Sequence, residues 1–168
     1  MRWSKLKNRV EKKFSPSLGR LVAIHSTTYG DCTCGHAWLT VEKQIVANFC
    51  TRAFYNRAAG NVRKEGRPWV TDSAVPSHVS DAQNSRYGEV EYGELSRRDA
   101  YQSCWEYVHD LSAEQALRSD DPLIQALATL DARIGKRRLK AIQFDTLHPL
   151  AARLLKVRMR AEGIHYDE

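Results

Sequence analysis

The sequence has no run of apolar residues long enough to span a membrane, and its first residues carry charge where a signal peptide would be apolar. It also contains no internal repeat and no low-complexity tract. We therefore expect a cytoplasmic protein that does not associate with membranes. At 168 residues, with 42% hydrophobic and 27% charged residues, the chain has the size and composition of one globular domain, so residues 1–168 are expected to form a single domain.

Cysteine is scarce, and the four examples are Cys32, Cys34, Cys50 and Cys104. In a cytoplasmic chain they are expected to be free thiols. Cys32, Cys34 and His36 are spaced by two, so an extended segment would direct all three side chains towards one metal ion. A structural zinc site normally has CxxC spacing and a fourth ligand, and this stretch has neither. Reduced cysteines in a loop are the favoured interpretation, so no metal and no other cofactor is expected.

The common catalytic and phosphate-binding signatures are missing as well. There is no GxSxG, no HExxH, no phosphate-binding glycine loop and no dinucleotide fingerprint. His25 lies beside Ser26 and Thr27, but nothing in the sequence orients it as a base. The residues thus favour a binding protein over an enzyme, and no catalytic residue is assigned. The enzyme alternative requires a cleft between the predicted sheet and residues 56–93.

The first part of the chain predicts a helix followed by a small sheet. Apolar and aromatic residues recur on one side of a helix over about residues 2–14. Three runs rich in β-branched residues then predict an antiparallel meander, with a tight turn near Glu42–Lys43. Residues 56–93 are irregular and add at most two short strands. The predicted strands cover residues 20–28, 36–42 and 44–51.

Helical periodicity dominates the rest of the chain and predicts four or five helices. The last two begin at Pro122 and Pro149, after capping residues, and end at Gly135 and Gly163, with a very basic connector between them. The expected fold is therefore α+β, with an N-terminal helix, an antiparallel meander of three to five strands and a C-terminal helical layer. Two capping-box patterns mark earlier helix starts: Ser96 with Asp99, and Ser112 with Gln115.

The net charge of +6 is unevenly distributed. Residues 1–20 contain seven Lys or Arg and one acid. Residues 133–160 contain nine Lys or Arg and one acid. Residues 72–121 contain eleven Asp or Glu and four Arg. Either the acidic segment folds over the basic ones, or the two basic segments meet on one face and form an anion-binding surface.

The basic residues near the C-terminus are the leading candidate site. On an ideal helix Arg153, Lys156 and Arg160 fall within about 60° of one another, so they are placed to follow a phosphate backbone. We therefore expect a non-enzymatic binding or interaction protein with a basic surface for an anionic partner, either a nucleic acid or an acidic protein. The anion-binding candidates are Lys136, Arg137, Arg138, Lys140, Arg153, Lys156 and Arg160.

The same helix has a second apolar set that includes Leu155 and Met159. It lies well away from the main apolar stripe, so burying both sets requires either a central position among the helices or a partner chain. Leaving two large apolar side chains exposed would forfeit several kcal/mol, at about 1.5 to 3 kcal/mol each. The second functional alternative is thus a homodimeric protein-interaction module without nucleic acid, with Leu155 and Met159 as interface candidates.

Two sequence stretches carry a recognisable pattern: W-S-K-L-K at residues 3–7 and D-x-R-x-G-K-R-R-L at residues 131–139. With them the chain resembles, over nearly its whole length, a family of short bacterial proteins that have no assigned activity. Proteins of this kind are also met in mobile gene cassettes, including integron cassettes. The resemblance implies no catalytic residue, cofactor or partner. The stretch from Cys32 to His36 is outside the shared pattern, which counts against a metal site.

Overall fold

The computed structural model of the protein describes residues 1–28, 35–50 and 95–165. In that part of the chain a helix is followed by three strands and five more helices, which confirms the predicted α+β class. Single 3-10 turns lie at Pro16–Leu18 and Phe144–Thr146. The helices are α1 (Trp3–Glu11), α2 (Arg97–His109), α3 (Ala113–Leu117), α4 (Pro122–Leu130), α5 (Lys136–Ala141) and α6 (Pro149–Ala161). The strands are β1 (Val22–Thr28), β2 (Gly35–Val41) and β3 (Gln44–Cys50).

Packing divides the described residues into two compact units. The helical unit contains Met1–Ala23, Val41–Lys43 and residues 101–165, and the sheet unit contains the described residues within 24–40 and 44–100.

None of the described helices is both long and apolar enough to cross a membrane. The irregular stretch 56–93, with its two predicted short strands, lies outside the described residues.

The sheet has the strand order β1–β2–β3, and each strand begins and ends within two residues of its predicted position. β2 and β3 are joined by a turn in which Glu42 and Lys43 have positive φ angles of 50° and 68°. Two successive positive φ angles characterise the type I′ turn, whose twist matches that of the paired strands. The predicted tight turn is therefore confirmed.

Helix α4 is the centre of the helical unit. It packs against α3 and α6, and it is buried from Leu123 to Leu130 except at Gln125. A helix that is apolar on all sides is expected to be surrounded by other elements. Its start agrees with the prediction, because the Asp121 carboxylate accepts hydrogen bonds from the backbone of the first turn at 2.8 and 2.9 Å, and Pro122 is the first helical residue.

The predicted end of this helix at Gly135 is wrong, and the basic connector after it is itself a helix. Helix α4 ends at Leu130, because Asp131 takes an extended conformation and pairs with Phe14 in an isolated β-bridge. Gly135 instead precedes α5 as its N-cap residue. Helix α5 is anchored by Leu139, which is fully buried while its basic neighbours stay exposed.

Both ends of α6 agree with the prediction. Pro149 is the first helical residue, and the His148 side chain accepts a hydrogen bond from the backbone of the first turn at 3.2 Å. At the other end Gly163 has a φ of +66°, a conformation that glycine adopts without steric cost. Ile164 N donates to Met159 O at 2.8 Å, which is the long hydrogen bond of a Schellman motif.

The two predicted capping boxes are also confirmed. At the start of α2, Ser96 N donates to the Asp99 carboxylate at 2.9 Å, and Asp99 N donates to Ser96 Oγ at 3.2 Å. At the start of α3, Ser112 N donates to the Gln115 side chain at 3.0 Å, and Gln115 N donates to Ser112 Oγ at 3.2 Å. Each box satisfies backbone N–H groups that the helix itself leaves without partners.

Helix α1 ends three residues earlier than predicted. It ends at Glu11, because the chain that follows pairs with the loop after α4. Ser15 N donates to Leu130 O, and Ala132 N donates to Lys13 O, both at 2.8 Å. These backbone hydrogen bonds tie the N-terminal segment to the loop after α4 and fix where that loop lies in the helical unit.

Candidate functional site

Asp131 is the centre of the first of two buried polar clusters in the helical unit. Its side chain has no exposed surface. Tyr107 OH donates to one carboxylate oxygen at 2.7 Å, and the Arg133 guanidinium donates to both oxygens at 2.7 to 3.1 Å. Arg133 N adds a further hydrogen bond at 2.9 Å. Both oxygens of the carboxylate are therefore satisfied inside the protein. We call this group the Asp131 cluster.

The environment of the Asp131 cluster sets two pKa values. Burial acts to raise the pKa of Asp131, but the hydrogen bonds from Arg133 and Tyr107 outweigh it, so this pKa lies below its ordinary value. Burial, and then the charge of Asp131, raise the pKa of Tyr107. Neither group changes protonation near neutral pH, so this pair is unsuited to proton transfer in a reaction. We interpret the Asp131 cluster as structural.

Lys13 connects the N-terminal basic segment to this cluster. Its Nζ donates to the carbonyl oxygens of Tyr107 and Val108 at 2.9 Å each, and it lies 4.9 Å from the centre of the Tyr107 ring. A cation is favourable there, because the carbonyl groups at the C-terminal end of α2 carry partial negative charge. Burial, and then repulsion by Arg133, lower the pKa of Lys13. The two basic segments of the sequence therefore approach each other at Lys13 and Arg133.

Arg158 is the centre of the second buried cluster, which we call the Arg158 cluster. Only 2% of its surface is exposed, and its guanidinium donates to the carbonyl oxygens of Thr129, Asp131 and Ile134 at 2.5 to 3.1 Å. Its Nε donates to the Glu162 carboxylate at 2.9 Å. Arg158 thus holds the loop after α4 against α6. It adds nothing to a surface for an external anion, although it is one of the nine basic residues counted in the C-terminal segment.

Glu162 extends the Arg158 cluster to the N-terminal segment. Ser15 Oγ and Ser17 Oγ donate to its carboxylate at 2.7 and 3.4 Å. Burial acts to raise the pKa of Glu162, but the hydrogen bonds from Ser15 and Arg158 hold it below its ordinary value. The chain just after α1 is thereby bonded to the residue just after α6.

The two carboxylates predict an acid-sensitive fold. Asp131 and Glu162 have folded pKa values below their ordinary values of 3.8 and 4.5. The unfolded chain therefore binds more protons than the folded chain in this range, so both contributions to stability are complete above about pH 5 and are lost as the pH falls through the lowered values. We expect the free energy of unfolding in urea to fall steadily below pH 4.5. In Glu162→Gln the dependence on pH should be weaker, and an equal dependence in both proteins would contradict this assignment.

Three of the candidate cations form a row along α6. Arg153, Lys156 and Arg160 are all exposed, and the opposite side of the helix is buried. Their spacing of three and four residues places them on one side of an α-helix, as the sequence predicts. We call these three residues the α6 row.

The α5 candidates lie close to this row at two places. Lys136 Nζ donates to the carbonyl oxygen of Glu162, beyond the end of α6, at 3.0 Å. Lys156 Nζ lies 5.8 Å from the centre of the ring of Phe144, which follows α5 in the chain. The structure thus places Lys136 at the end of α6, and Lys156 beside the 3-10 turn that follows α5. The α5 candidates, all exposed, are Lys136, Arg137, Arg138 and Lys140.

Arg138 and Arg160 are each paired with an acid in the described part of the chain. Arg138 lies 2.5 Å from Glu114, which belongs to the acidic segment, and Arg160 lies 3.4 Å from Glu42. All four side chains are more than half exposed, so each pair contributes about 0 to 1 kcal/mol and is easily exchanged for another anion. Across the described ranges, no ion pair involves Arg137, Lys140 or Arg153.

The two interface candidates are buried within the single chain. Leu155 is 0% exposed and Met159 is 2% exposed. Of the two explanations for the second apolar set, the central position of α6 among its neighbours therefore accounts for both side chains. The proposal that these residues form a homodimer interface is corrected accordingly, because a buried side chain has no surface to offer to a second copy.

The candidate metal ligands are only partly described. Cys32 and Cys34 lie outside the described residues. His36 is 1% exposed in β2, and burial, then the charge of Arg97, lower its pKa to about 4. In the part of the chain that the structure describes, no group of three or more His, Cys, Asp or Glu side chains is arranged to hold a metal ion. Cys104 is a buried free thiol, and burial raises its pKa.

A row of aromatic side chains along α2 is a feature that the sequence analysis missed. Tyr101 and Trp105 have their ring centres 6.4 Å apart and are nearly parallel, and Trp105 and His109 are 4.2 Å apart. Trp3 of α1 meets Tyr101 edge-on at 5.5 Å. The rings of Trp3, Tyr101 and Trp105 are partly exposed, and the ring of His109 is exposed. The spacing of four residues is visible in the sequence, but the neighbouring position of α1 is not. We call these four residues the aromatic row.

A comparison with protein-family models matches residues 2–159 of the chain to the SF0329 protein family. The chain belongs to the SF0329 protein family. This agrees with the expectation, drawn from the resemblance, that the similarity extends over nearly the whole chain. No curated protein and no solved structure matches the chain.

The SF0329 match includes both buried clusters except for Glu162, and it includes the aromatic row. It also includes six of the seven candidate cations and ends just before Arg160. The family match therefore covers most of the residues that build the helical unit and most of its candidate cations. The family match assigns no role to any one of them.

A groove with a volume of about 460 Å³ lies at the ends of α3 and α5 in this SF0329 family member. Its charged lining residues are Arg118 and Asp120. Gln125, the polar residue of α4 in its lining, already accepts a hydrogen bond from His148 N at 2.7 Å and donates to Leu117 O at 3.4 Å. The groove therefore has no buried polar group in need of a ligand.

Proposed function

We propose that this protein is a non-enzymatic binding protein whose helical unit binds an anionic partner, in the first place a nucleic acid, through the α6 row and the cations of α5. The proposal rests on one observation. The α6 row is exposed beside α5, and within the described ranges Arg137, Lys140 and Arg153 have no ion pair. Cations held near one another without acid partners produce a positive potential that a polyanion relieves.

The charge of the whole helical unit supports the same conclusion. Its described residues contain 18 Lys or Arg and 10 Asp or Glu, a net charge of +8. The excess is therefore larger than that of the complete chain, which is +6. A long-range field of this sign accelerates the approach of a polyanion and retards the approach of a cation.

The side chains of this surface suit phosphate groups better than base edges. The exposed side of α6 presents long cationic side chains, which position a protein on the backbone without reading the sequence. We therefore expect binding that depends strongly on salt and weakly on sequence. Five cations neutralising five phosphates give a slope of about −4 to −5 in log K against log salt on duplex DNA. These five cations are Lys136, Arg137, Lys140, Arg153 and Lys156.

The test is the affinity for a fluorescein-labelled duplex of about 20 base pairs, measured by anisotropy at several salt concentrations. The double variant Arg153→Glu/Lys156→Glu should bind about tenfold or more weakly than the wild type, and its salt slope should be shallower by about 2, because two phosphate contacts are lost. Both side chains are exposed, so the fold should be unaffected.

The matched control is Arg20→Glu/Arg118→Glu, which makes the same change in net charge at exposed positions outside α1, α5 and α6. If the α6 row forms the duplex contact, the control should lose clearly less affinity for the duplex than the α6 variant. Equal losses would mean that only net charge matters, and absence of binding at low salt would remove the proposal altogether.

An acidic protein is the other anionic partner that these charges would attract. Polyglutamate of the same total charge separates the two cases, because a flexible carboxylate polymer lacks the phosphate spacing. If it displaces the duplex as well as unlabelled DNA does, an acidic protein becomes the better proposal. The implied link to mobile gene cassettes adds no residue to the site and stays an implication of the family resemblance.

A further inference from the structure

We infer that the face formed by α1 and α2 is a second binding site, separate from the α6 row, and that it takes a single strand of nucleic acid with its bases on the aromatic row. Proteins that bind single strands without sequence preference combine aromatic side chains, on which bases stack, with a parallel line of cations that follows the phosphates. Both components are present here on adjacent helices. The inference stands without the proposed duplex contact, because it depends on different residues.

The aromatic row supplies the stacking component. Its members on α2, Tyr101, Trp105 and His109, are four residues apart, and the centres of successive rings lie 6.4 and 4.2 Å apart. His109 stands exposed at one end of the row. Its Nδ1 donates to Trp105 O at 3.0 Å, and its Nε2 accepts from Arg9 Nη1 at 2.9 Å, so the imidazole is held in a fixed orientation beside the indole. A ring fixed in this way offers its face with little loss of rotamer entropy.

The cation component lies along α1. Arg2, Lys5, Arg9 and Lys12 are exposed and follow one another at intervals of three or four residues. On an ideal helix they fall within about 80° of one another and extend over about 15 Å. We call these four residues the α1 row.

Three contacts show that α1 lies beside α2 and runs in the same direction. Near the start of both helices, Trp3 meets the ring of Tyr101, and Tyr101 OH donates to Met1 O at 2.7 Å. At the other end, Arg9 bonds to His109. Trp3 and Arg9, six residues apart on α1, thus contact Tyr101 and His109, eight residues apart on α2. The two helices therefore run side by side.

The dimensions fit about three nucleotides. A strand with one base stacked on the exposed ring of His109, and with the following bases along the edges of Trp105 and Tyr101, would place its phosphates along the α1 row, where four cations lie over about 15 Å. If all four neutralise a phosphate, the slope of log K against log salt for a single strand is about −3. A partner without stackable rings, such as an acidic peptide, would use the cations and leave the aromatic row unused.

Packing between α1 and α2 explains part of the aromatic row but not all of it. The edge of Trp3 on Tyr101 is an ordinary interhelical contact. His109, by contrast, is exposed beyond that contact, and the α1 row that borders it needs solvent or an anion around it. Charge complementarity therefore favours a nucleic-acid strand over a second copy of this basic chain, which would bring like charges together.

The experiment compares two labelled probes of about 12 units, an oligothymidylate and the abasic oligomer with the same phosphate backbone, by fluorescence anisotropy at low salt. The wild-type protein should bind the oligothymidylate about tenfold or more tightly than the abasic oligomer, because stacking needs bases. His109→Ala should reduce that preference by about fivefold or more, and Lys5→Glu/Lys12→Glu should weaken binding of both probes. Neither set of positions is buried, so a folding defect is not expected.

The control is Arg153→Glu/Lys156→Glu, which should leave the preference for oligothymidylate over the abasic probe unchanged. Loss of duplex binding in that variant together with an intact preference would support both sites separately. Equal wild-type affinity for the two probes, or a preference that His109→Ala and Trp105→Phe leave unchanged, would overturn the inference while leaving the duplex proposal to its own test.

Discussion

Arg158→Met is expected to lower the free energy of unfolding by about 3 to 5 kcal/mol. The change keeps much of the side-chain volume but removes the guanidinium that bonds to Thr129 O, Asp131 O, Ile134 O and the Glu162 carboxylate. The residue is 2% exposed, so water cannot replace these bonds without opening the structure. The buried carboxylate and three carbonyl groups would lose their partner together. The measurement is chemical unfolding in urea followed by circular dichroism.

Arg153→Met is the matched control for this substitution, because Arg153 is on the same helix but exposed. It should change stability by less than about 0.5 kcal/mol. If Arg158→Met cost no more than its control, the interpretation of Arg158 as the link between α6 and the loop after α4 would be wrong. Adding Glu162→Gln to Arg158→Met should restore part of the loss, because it removes the unpaired buried charge.

Asp131→Ala is expected to cost about 3 kcal/mol, the second-largest effect. It removes the acceptor of Tyr107 OH, which is buried, and the charge that holds the Arg133 guanidinium. The loop after α4 also loses the hydrogen bond from Arg133 N that fixes its turn. Thermal unfolding monitored by circular dichroism should show a midpoint lower than that of Asp145→Ala, an exposed control that should match the wild type.

A double-mutant cycle with Tyr107→Phe tests the physical reason. In the wild-type background this change should cost about 1.5 to 3 kcal/mol, because it removes a hydrogen bond to a charged acceptor. In the Asp131→Ala background it should cost nearly nothing, since the hydroxyl no longer has that acceptor. Additive effects would show that Tyr107 and Asp131 stabilise the protein independently, contrary to the geometry.

The elements that could be predicted are those whose signals are local. Asp121 with Pro122 gives the start of α4, Pro149 and Gly163 give both ends of α6, and the capping boxes give the starts of α2 and α3. Each of these signals acts within four residues of the element that it begins or ends. The tight turn between β2 and β3 belongs to the same class. Short-range chemistry was sufficient there because the backbone groups at helix and strand ends find their partners nearby.

The end of α4 could not be predicted, because residues far along the chain determine it. Asp131 leaves the helix to meet Phe14, Tyr107 and Arg158, which are 24 or more residues away in sequence. Gly135 offered a local signal for a helix end, and the long-range contacts overrode it. The sequence pattern alone does not show whether the local signal at Gly135 or the long-range contacts of Asp131 determine the end of the helix.

The candidate site was predicted in part for the same reason. The α6 row follows from helical spacing alone, and the structure places it as expected on the exposed side of the helix. The burial of Arg158 does not follow, because an arginine among arginines gives no sign that three carbonyl oxygens converge on it. The neighbouring position of the α1 row and the aromatic row depends on how two distant helices pack, and periodicity within each helix carries no information about that.

The hydrogen bond between Ser15 and Glu162 joins positions 147 residues apart. On a translating ribosome, which adds about 5 to 20 residues per second, the N-terminal segment must therefore wait about 7 to 30 seconds before its distant partner exists. During that interval the apolar side of α1, with Leu6 and Val10 that become fully buried in the folded protein, has no completed helical unit to enter. The hydrogen-bonded link between the two ends of this unit is thus expected to form only after Glu162 has been synthesised.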